Sequence, residues 1–488
     1  MSLIQMNIKP TPPVKPLINV GCLMDIPTGS YVEGIHGESL LNGGIGVFTG
    51  IVGAGNLGKS TLAHYRDNIA AYRMGNNTTI SIYDTELNLD EAKQLKFIQN
   101  ITLEDPYQWV NNGRWIVSDP SVYSGDEWFD LFKEFMESKK NDKKLLIETP
   151  FKDRPDNDGK YNPMKMVTPT VTLLDSISNF QTKDITKMRD TNSLGDSGAN
   201  MIAMTQNRHR DRVINETHYL SAASSTYTTM TGHIGEKIKI DPYAPDFKLL
   251  AGLKNNIKIK GVPPNFTFLT MSCWWVLGTA DLVNSDKSVL YPKDDEDKSG
   301  NDKDLQLINL YLLRCKTGPS DIGVNIILSK REGILPTLSE FHYLRSNGYF
   351  GLIGSQQSFS CVFLPEEKLS RTTVRNKIDE NKKLRRAINI CSELLQIEKF
   401  YKGSIPNELR CLPEALYEDI KNLGYDWDFI LEHTRGWWAP LGEHMDTLFL
   451  STMDLLKMRK EQYHPYWLEK DKKTVKKEFA KHLKGNDK

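Results

Sequence analysis

A glycine-rich stretch near the start of the chain constrains the fold more than any other feature. Residues 53–61 read Gly-Ala-Gly-Asn-Leu-Gly-Lys-Ser-Thr and match G-x-x-x-x-G-K-[ST], the phosphate-binding P-loop. The apolar run from Ile45 to Val52 predicts a buried strand before the motif, and Thr61 to Tyr72 predicts a helix after it. A strand, a glycine loop and a helix N-terminus together direct backbone N–H groups at a phosphate. The alternative is a plain glycine-rich turn, but the flanking elements favour a nucleotide-binding α/β fold.

The motif predicts a role for each of its polar residues. Lys59 would reach the β- and γ-phosphates of ATP, and the Ser60 hydroxyl would ligate Mg²⁺. The predicted cofactor-binding residues are Gly53, Ala54, Gly55, Asn56, Leu57, Gly58, Lys59, Ser60 and Thr61.

Composition narrows the class of protein. The 488 residues leave room for two or three domains, and 39% apolar and 25% charged residues are ordinary for a soluble protein. The formal net charge is +0, so any contact with nucleic acid must come from a local patch. No apolar run is long enough to span a membrane, and the proline-rich N-terminus does not resemble a signal peptide. The six scattered cysteines form no C-x-x-C pair, which favours a reducing cytoplasm over a zinc site or disulfides.

The sequence divides into three predicted regions. Residues 1–40 form an N-terminal arm or linker, either disordered or docked on a neighbouring subunit. Residues 41–350 form the ATPase core, with a mostly parallel central sheet flanked by helices. Residues 351–488 form a mostly helical C-terminal extension. Its lysine-rich tail, from Lys470 to Lys484, is either a solvated face or a contact for DNA or a partner.

Three further strands are predicted to end in residues that suit nucleotide chemistry. Thr78 to Tyr83 ends at Asp84-Thr85-Glu86, and a carboxylate at that end of a strand lies where ligands bind in open α/β sheets. Val167 to Leu174 runs into Asp175, the Walker B pattern in which the carboxylate holds Mg²⁺ through water, although a turn aspartate is the simpler alternative. Thr226 to Thr231 is closed by Gly232-His233, where the histidine is either a γ-phosphate sensor or an ordinary strand residue.

The remaining pattern predicts helices, loops and one hairpin. Lysines and aromatic residues interleave in residues 234–272, which suits either single-stranded nucleic acid or an ordinary β-hairpin. The other predictions are helices at 125–140, 199–223, 413–423, 427–433 and 437–460, a polar loop at 153–162, a solvated acidic loop at 291–304, and paired strands at 305–313 and 323–329.

Together these motifs resemble the RecA-fold ATPase superfamily, and their order resembles the UvsX-type recombinases of tailed phages. The likeness covers roughly residues 20–350 and is carried by the P-loop, by 81–86 (Ser-Ile-Tyr-Asp-Thr-Glu), by 173–179 (Leu-Leu-Asp-Ser-Ile-Ser-Asn) and by Gly232-His233. The resemblance implies that Glu86 polarises the attacking water and that His233 senses the γ-phosphate. The segment after His233 is much longer than the second DNA loop of that family.

A second resemblance concerns a basic strand. The stretch Arg314-x-Lys316-x-Gly318-Pro319 is similar to the K-x-R-x-G-P stretch of DnaB-type hexameric helicases. In both families such residues reach across a subunit interface to the γ-phosphate of a neighbour, which implies that Arg314 and Lys316 act in trans. The alternative is that they are surface charges on an edge strand.

The first functional hypothesis is a DNA-dependent ATPase that assembles as a helical filament on single-stranded DNA and exchanges strands with double-stranded DNA. The implied cofactors are ATP and Mg²⁺, the assembly is a homo-oligomer, and a single-strand binding or mediator protein is a further partner. A phage-encoded chain would act in the cytoplasm of its bacterial host. The second hypothesis is a ring-shaped replicative helicase of the same fold. The third is a non-catalytic partner or packaging-type protein that keeps ATP as a structural ligand.

Overall fold

The structure is a computed structural model. It describes residues 22–25, 31–41, 43–75, 77–87, 89–99, 106–156, 158–191, 198–236, 257–263, 265–285, 287–294, 297, 303–355, 357–401, 403–436 and 448–486.

The fold is α/β and is built on a large mixed sheet that is mostly parallel in its centre. Its strands are β3 (Phe48–Gly53), β4 (Thr79–Asp84), β5 (Trp115–Ser118), β8 (Thr170–Asp175), β9 (Thr226–Glu236), β10 (Ile257–Ile259), β11 (Ser272–Asp281), β12 (Leu305–Cys315), β13 (Ile322–Ser329) and β14 (Gly333–Ile334). The order across the sheet is β14-β13-β12-β11-β3-β9-β8-β4-β5, with β10 paired to β9. The six strands from β11 to β5 run parallel, while β12, β13, β14 and β10 are antiparallel to their neighbours.

Short sheets surround this core. They are β1 (Tyr31–Glu33) with β2 (Ser39–Leu41), β6 (Leu146–Pro155) with β7 (Tyr161–Val167), β15 (Leu352–Gly354) with β16 (Phe359–Cys361) and β17 (Leu364–Leu369), and β18 (Thr434–Arg435) with β19 (Leu448–Phe449).

Helices cover both faces of the central sheet, and in the C-terminal region they alternate with short strands and irregular segments. The α-helices are α1 (Lys59–Arg73), α2 (Glu91–Gln99), α3 (Pro106–Asn111), α4 (Gly125–Asn141), α5 (Lys183–Thr191), α6 (Gly198–Ser224), α7 (Phe266–Leu269), α8 (Pro336–Ser346), α9 (Val374–Glu380), α10 (Lys382–Phe400), α11 (Pro413–Asn422), α12 (Trp427–His433) and α13 (Thr452–Met458). Short 3₁₀ turns lie at Cys22–Asp25, Lys143–Leu145, Ile177–Asn179 and Lys477–Asn486.

Side chains alternate between two hydrophobic cores along the central strands, because successive residues of a strand point to opposite faces. In β8, Leu173 packs in the core under α1, and the next residue, Leu174, packs in the core under α4 and α6. In β3, Ile51 lies in the core under α1 and Val52 lies in the core under α4 and α6. Parallel strands are normally buried on both faces of their sheet. The carboxyl ends of these strands all lie at one edge of the sheet.

The acidic segment at residues 291–304 was predicted to be a solvated loop, and that prediction is wrong for Asp297 and Asp304, whereas Asp294 is exposed. Asp297 and Asp304 are buried, with side chains 1% exposed, and both face Arg375 of α9. Arg375 Nη2 lies 2.9 Å from Asp304 Oδ2 and 3.0 Å from Glu332 Oε2. Burial raises the pKa of Asp304, but bonds from Arg375 and Ser329 outweigh burial and lower it. A cluster of acidic residues predicts a solvent-exposed loop only where no basic residue from a distant part of the chain pairs with it.

Two other local predictions also differ from the structure. The polar segment 153–162 is not all loop, because β6 extends to Pro155 and β7 begins at Tyr161 in one antiparallel hairpin. The predicted helix 437–460 begins outside the described residues, and its described part contains β19 and then α13. Ser451 and Asp454 form a capping box, and this box starts a new helix at Thr452. The hairpin alternative for 234–272 fits the described part, since β10 pairs antiparallel with β9.

Lys139 of α4 is a buried lysine whose charge the fold disfavours. Its side chain is 4% exposed and its Nζ donates to the Thr170 hydroxyl at 2.9 Å. Burial lowers the pKa of Lys139 from 10.5 to about 7. Between these two values the unfolded chain holds the proton and the folded chain does not, so stability rises with pH. Each pKa unit corresponds to about 1.4 kcal/mol.

Replacing Lys139 by methionine should therefore raise the free energy of unfolding at neutral pH and below. It should also remove part of the rise in stability from about pH 7 to about pH 10. The measurement is urea unfolding at several pH values, with Lys140→Met, an exposed neighbour, as the control. Parallel pH profiles for the two variants would contradict this assignment.

Candidate nucleotide-binding site

Four adjacent parallel strands bring the predicted site residues to one edge of the sheet. Their order is β3-β9-β8-β4, so the strand that carries the P-loop is separated from the Asp175 strand by the His233 strand. In register, Gly53 pairs with His233, and Asp84 pairs with Asp175. Because the strands are parallel and in register, their carboxyl ends meet around the start of α1.

The P-loop follows β3 and leads directly into α1. Residues 54–56 are exposed, whereas β3 is buried throughout. Gly58 is the N-cap of α1 at φ 79°, where a side chain would be strained and would approach Ile308 Cδ1 to 3.2 Å. No side chain caps this helix end, so first-turn N–H groups of α1 remain for an anion.

Lys59 lies between the loop and two carboxylates. Its side chain is buried, and its Nζ donates to the Ala54 carbonyl at 2.6 Å. Burial lowers the pKa of Lys59, while the charges of Glu86 and Asp175 act in the opposite direction. The ammonium is thus held in a partly desolvated position next to the loop, where its field acts strongly on a bound phosphate.

Asp175 is a buried carboxylate with one oxygen engaged. The Thr231 hydroxyl of β9 donates to its Oδ1, and among the described residues Oδ2 has no hydrogen-bond partner. Burial raises the pKa of Asp175, and the Thr231 and Ser60 hydroxyls partly offset this rise. A carboxylate oxygen without a donor, next to the P-loop serine, fits a water-bridged Mg²⁺, which keeps most of its waters.

No cluster of three or more histidine, cysteine or acidic residues able to hold a metal occurs within the described ranges. This finding is compatible with Mg²⁺ because such an ion takes one or two protein ligands together with substrate phosphates. The donor set of Ser60 and Asp175 therefore fits Mg²⁺.

Glu86 is held by three side chains at one oxygen. Its Oε1 lies 2.6 Å from His233 Nε2, and accepts bonds from Ser176 Oγ at 2.9 Å and Asn179 Nδ2 at 3.2 Å. Burial raises the pKa of Glu86, but the bonds from His233 and Ser176 and the charge of Lys59 outweigh it, so the pKa is lowered. A half-buried glutamate kept ionised beside a lysine can polarise a water molecule.

The turn after β4 explains why Glu86 faces this site. The Asp84 carboxylate accepts bonds from the backbone N–H of Glu86 at 3.0 Å and of Leu89 at 2.9 Å, which folds the chain back on itself. The Thr85 hydroxyl donates to the Ser176 carbonyl at 2.9 Å and accepts from the Ser176 N–H at 2.7 Å. These bonds join the ends of β4 and β8. Asp84 thus organises the backbone of the turn, and the Glu86 side chain points toward Ser176 and His233.

Arg314 and Lys316 do not lie at the carboxyl edge of the sheet with the other predicted site residues. Arg314 pairs with Cys273 at the start of β11, and Cys273 pairs with Gly50, so both basic residues lie toward the amino ends of the parallel strands. The Arg314 guanidinium lies 5.1 Å from the centre of the Phe268 ring, and Lys316 Nζ donates to the Leu269 carbonyl at 3.0 Å. Strand β12 is internal to the sheet and is not an edge strand. A role toward a neighbouring subunit stays a prediction.

Sequence reasoning assigned no role to Thr231, Ser176, Asn179 or Ser178, which support the site. Two signals could have found them. Thr231 is two residues before His233 in β9, and residues two apart share a face of a strand. Ser176 and Asn179 lie one and four residues after Asp175, within the stretch 173–179 that carries the resemblance. Ser178 Oγ accepts the His233 N–H at 2.9 Å and donates to the Lys260 carbonyl at 3.0 Å, linking the site to the segment after β10.

No protein-family model and no curated protein matches the chain. Among the described residues, no helix is both long and apolar enough to cross a lipid bilayer.

Proposed function

We propose that this chain is an ATP-dependent DNA recombinase of the RecA and UvsX type, which assembles on single-stranded DNA and hydrolyses ATP at subunit interfaces. One observation carries the proposal: Lys59, Asp175 and Glu86 converge at the carboxyl edge of a parallel sheet, next to a loop with the P-loop sequence. A glycine-rich turn without nucleotide chemistry has no need for two carboxylates beside its lysine.

Each residue of the site has a defined part in the proposed reaction. The Lys59 ammonium and the N–H groups at the start of α1 bind the β- and γ-phosphates and offset negative charge in the transition state. Ser60 and Asp175 would hold Mg²⁺, which neutralises phosphate charge when it is bound. The Glu86 carboxylate orients the attacking water and withdraws its proton.

His233 links the reaction to the DNA-facing segments. Its ring contacts Glu86, and its backbone N–H bonds to Ser178, which in turn bonds to the Lys260 carbonyl. A change in the position of Glu86 on γ-phosphate binding would therefore act on Lys260, which directly follows β10. Loops that order only with γ-phosphate would give ATP-bound and ADP-bound filaments different affinities for DNA.

The order of motifs and the sheet support a RecA-like core. The P-loop strand β3 has parallel neighbours on both sides, and the sheet then continues through antiparallel β12 and β13. A hexameric DnaB-like helicase of the same fold is the second candidate. The Arg314-x-Lys316-x-Gly318-Pro319 stretch favours it, since a cation supplied in trans makes hydrolysis depend on assembly.

The deciding experiment combines turnover with imaging. The full chain should hydrolyse ATP faster with single-stranded DNA, and negative-stain images with ATP, Mg²⁺ and DNA should show open helical filaments. Closed six-membered rings would support the helicase. Absence of ATP turnover, with and without DNA, would overturn both the recombinase and the helicase. It would leave the hypothesis of a non-catalytic protein that keeps ATP as a structural ligand.

A further inference from the structure

A cavity of about 480 Å³ opens in the C-terminal region, between α11, α12 and the segment after α13. None of its lining residues belongs to the nucleotide site. An adjoining cavity of about 290 Å³ shares Tyr425, Met458 and Lys472 with it, so the two cavities are neighbours, and together they are called the groove. This is the size range in which proteins enclose a small ligand or one or two anchoring side chains.

The walls of the larger cavity are apolar. Phe429 and Trp467 lie with ring centroids 6.0 Å apart, and Ile430, Leu450 and Met458 complete the wall. The Trp467 indole N–H already donates to the Phe449 carbonyl at 2.8 Å. Ile430, Leu450, Met458 and Trp467 are buried, and Phe429 is partly exposed. The wall therefore offers mainly the Phe429 ring to an apolar side chain of a ligand.

The rim is basic. Lys421, Lys472 and Lys473 line the cavity together with a single acid, Asp426. Lys472 Nζ donates to the Leu423 carbonyl at 3.0 Å and lies 5.1 Å from the centre of the Tyr425 ring, which fixes its charge at the opening. Lys421 and Lys473 are exposed.

The acidic groups near the rim are engaged in the fold. The Asp426 carboxylate accepts the Asp428 N–H at 2.9 Å as the N-cap of α12, and Asp428 pairs with Lys383 at 2.7 Å. Glu461 faces the adjoining cavity. The opening of the larger cavity therefore carries three cations against one acid that is bound to a helix end.

We propose that this groove docks an acidic peptide segment of a partner protein, with one apolar side chain of that segment packed against Phe429. The rim attracts the acidic residues and the wall takes the apolar anchor, which is the arrangement expected where charge sets orientation and a buried anchor sets affinity. A nucleobase fits less well, because base recognition uses exposed aromatic faces and hydrogen bonds to base edges. Here Tyr425 and Trp467 are buried, and Lys472 lies over the Tyr425 ring.

The test uses the full chain and a synthetic probe. The probe is a short fluorescein-labelled peptide, rich in aspartate and carrying a single phenylalanine, followed by fluorescence anisotropy. The peptide should bind, and replacing its phenylalanine by alanine should weaken binding by at least about tenfold. The double variant Lys421→Glu/Lys473→Glu should also weaken it by at least about tenfold, because both lysines are at the rim.

The matched control is Lys144→Glu/Lys160→Glu, which reverses two exposed lysines far along the chain and should leave peptide binding unchanged. All four substitutions are at the surface, and thermal unfolding verifies that each protein is folded. A dissociation constant above about 1 mM for the wild type overturns the proposal. Equal losses in the two double variants also overturn it. If the Lys421/Lys473 variant loses affinity for a labelled single-stranded oligonucleotide and not for the peptide, the groove is a nucleic-acid contact and the proposal is wrong.

Discussion

Lys59→Ala should reduce ATP hydrolysis by about 100- to 1000-fold or more, the range seen when one preorganised donor to transition-state charge is removed. The side chain is buried next to the P-loop, so no solvent cation takes its place. Its loss also leaves Glu86 and Asp175 without the positive charge that Lys59 provides, which raises the pKa of the Glu86 carboxyl. Both effects act against turnover.

Steady-state ATPase assays with and without single-stranded DNA measure this effect, and binding of a fluorescent ATP analogue separates affinity from rate. Lys330→Ala, at an exposed position between β13 and β14, serves as the matched control and should keep full activity. Lys59 donates to the Ala54 carbonyl, so thermal unfolding must show that the variant retains its fold. Turnover within about twofold of the wild type would show that Lys59 does not stabilise the transition state, because a much larger effect is expected.

The parts of the fold that the sequence predicted well are those in which local pattern and tertiary context agree. The amphipathic helix predicted at 125–140 is α4, and the paired strands at 305–313 and 323–329 are β12 and β13. The failures have different causes. The hairpin of β6 and β7 buries Phe151, Met164 and Met166, but charged residues and prolines between them hide this pattern. Asp304 is buried by Arg375, which comes from α9, and pairing with a distant segment leaves no local signal.

In the candidate site, too, local motifs could be predicted from the sequence and contacts between distant segments could not. The P-loop, Asp84 and Asp175 are local patterns at strand ends, and the structure brings them together because the four strands are adjacent and in register. Which carboxylate of the Asp84-Thr85-Glu86 turn faces the predicted site could not be read from residue types alone. It depends on Asp84 accepting two backbone N–H groups, while Glu86 contacts Ser176, which follows β8, and His233 of β9.

Glu86→Gln should preserve ATP binding and slow hydrolysis by about 100- to 10,000-fold, the range for loss of a general base. Glutamine has the same shape and can still accept the bonds from Ser176 and Asn179, so the turn after β4 should persist. It cannot carry the charge that withdraws a proton from water. Single-turnover assays isolate the chemical step, and Glu134→Gln, at an exposed position in α4, is the matched control. Normal turnover by Glu86→Gln would show that another group is the base.

The pH profile distinguishes a base from a residue that only supports the fold. The pKa of Glu86 is lowered from its usual 4.5, so the carboxylate stays ionised to below that pH and its contribution is lost as pH falls through the lowered pKa. Wild-type turnover should therefore show its acid limb below the usual glutamate range, and the residual turnover of Glu86→Gln should lack that limb. A structural role would instead lower the rate by a similar factor at every pH and leave the limb in place. Because His233 holds the same oxygen, His233→Gln should raise the pKa of Glu86 and move the acid limb to higher pH.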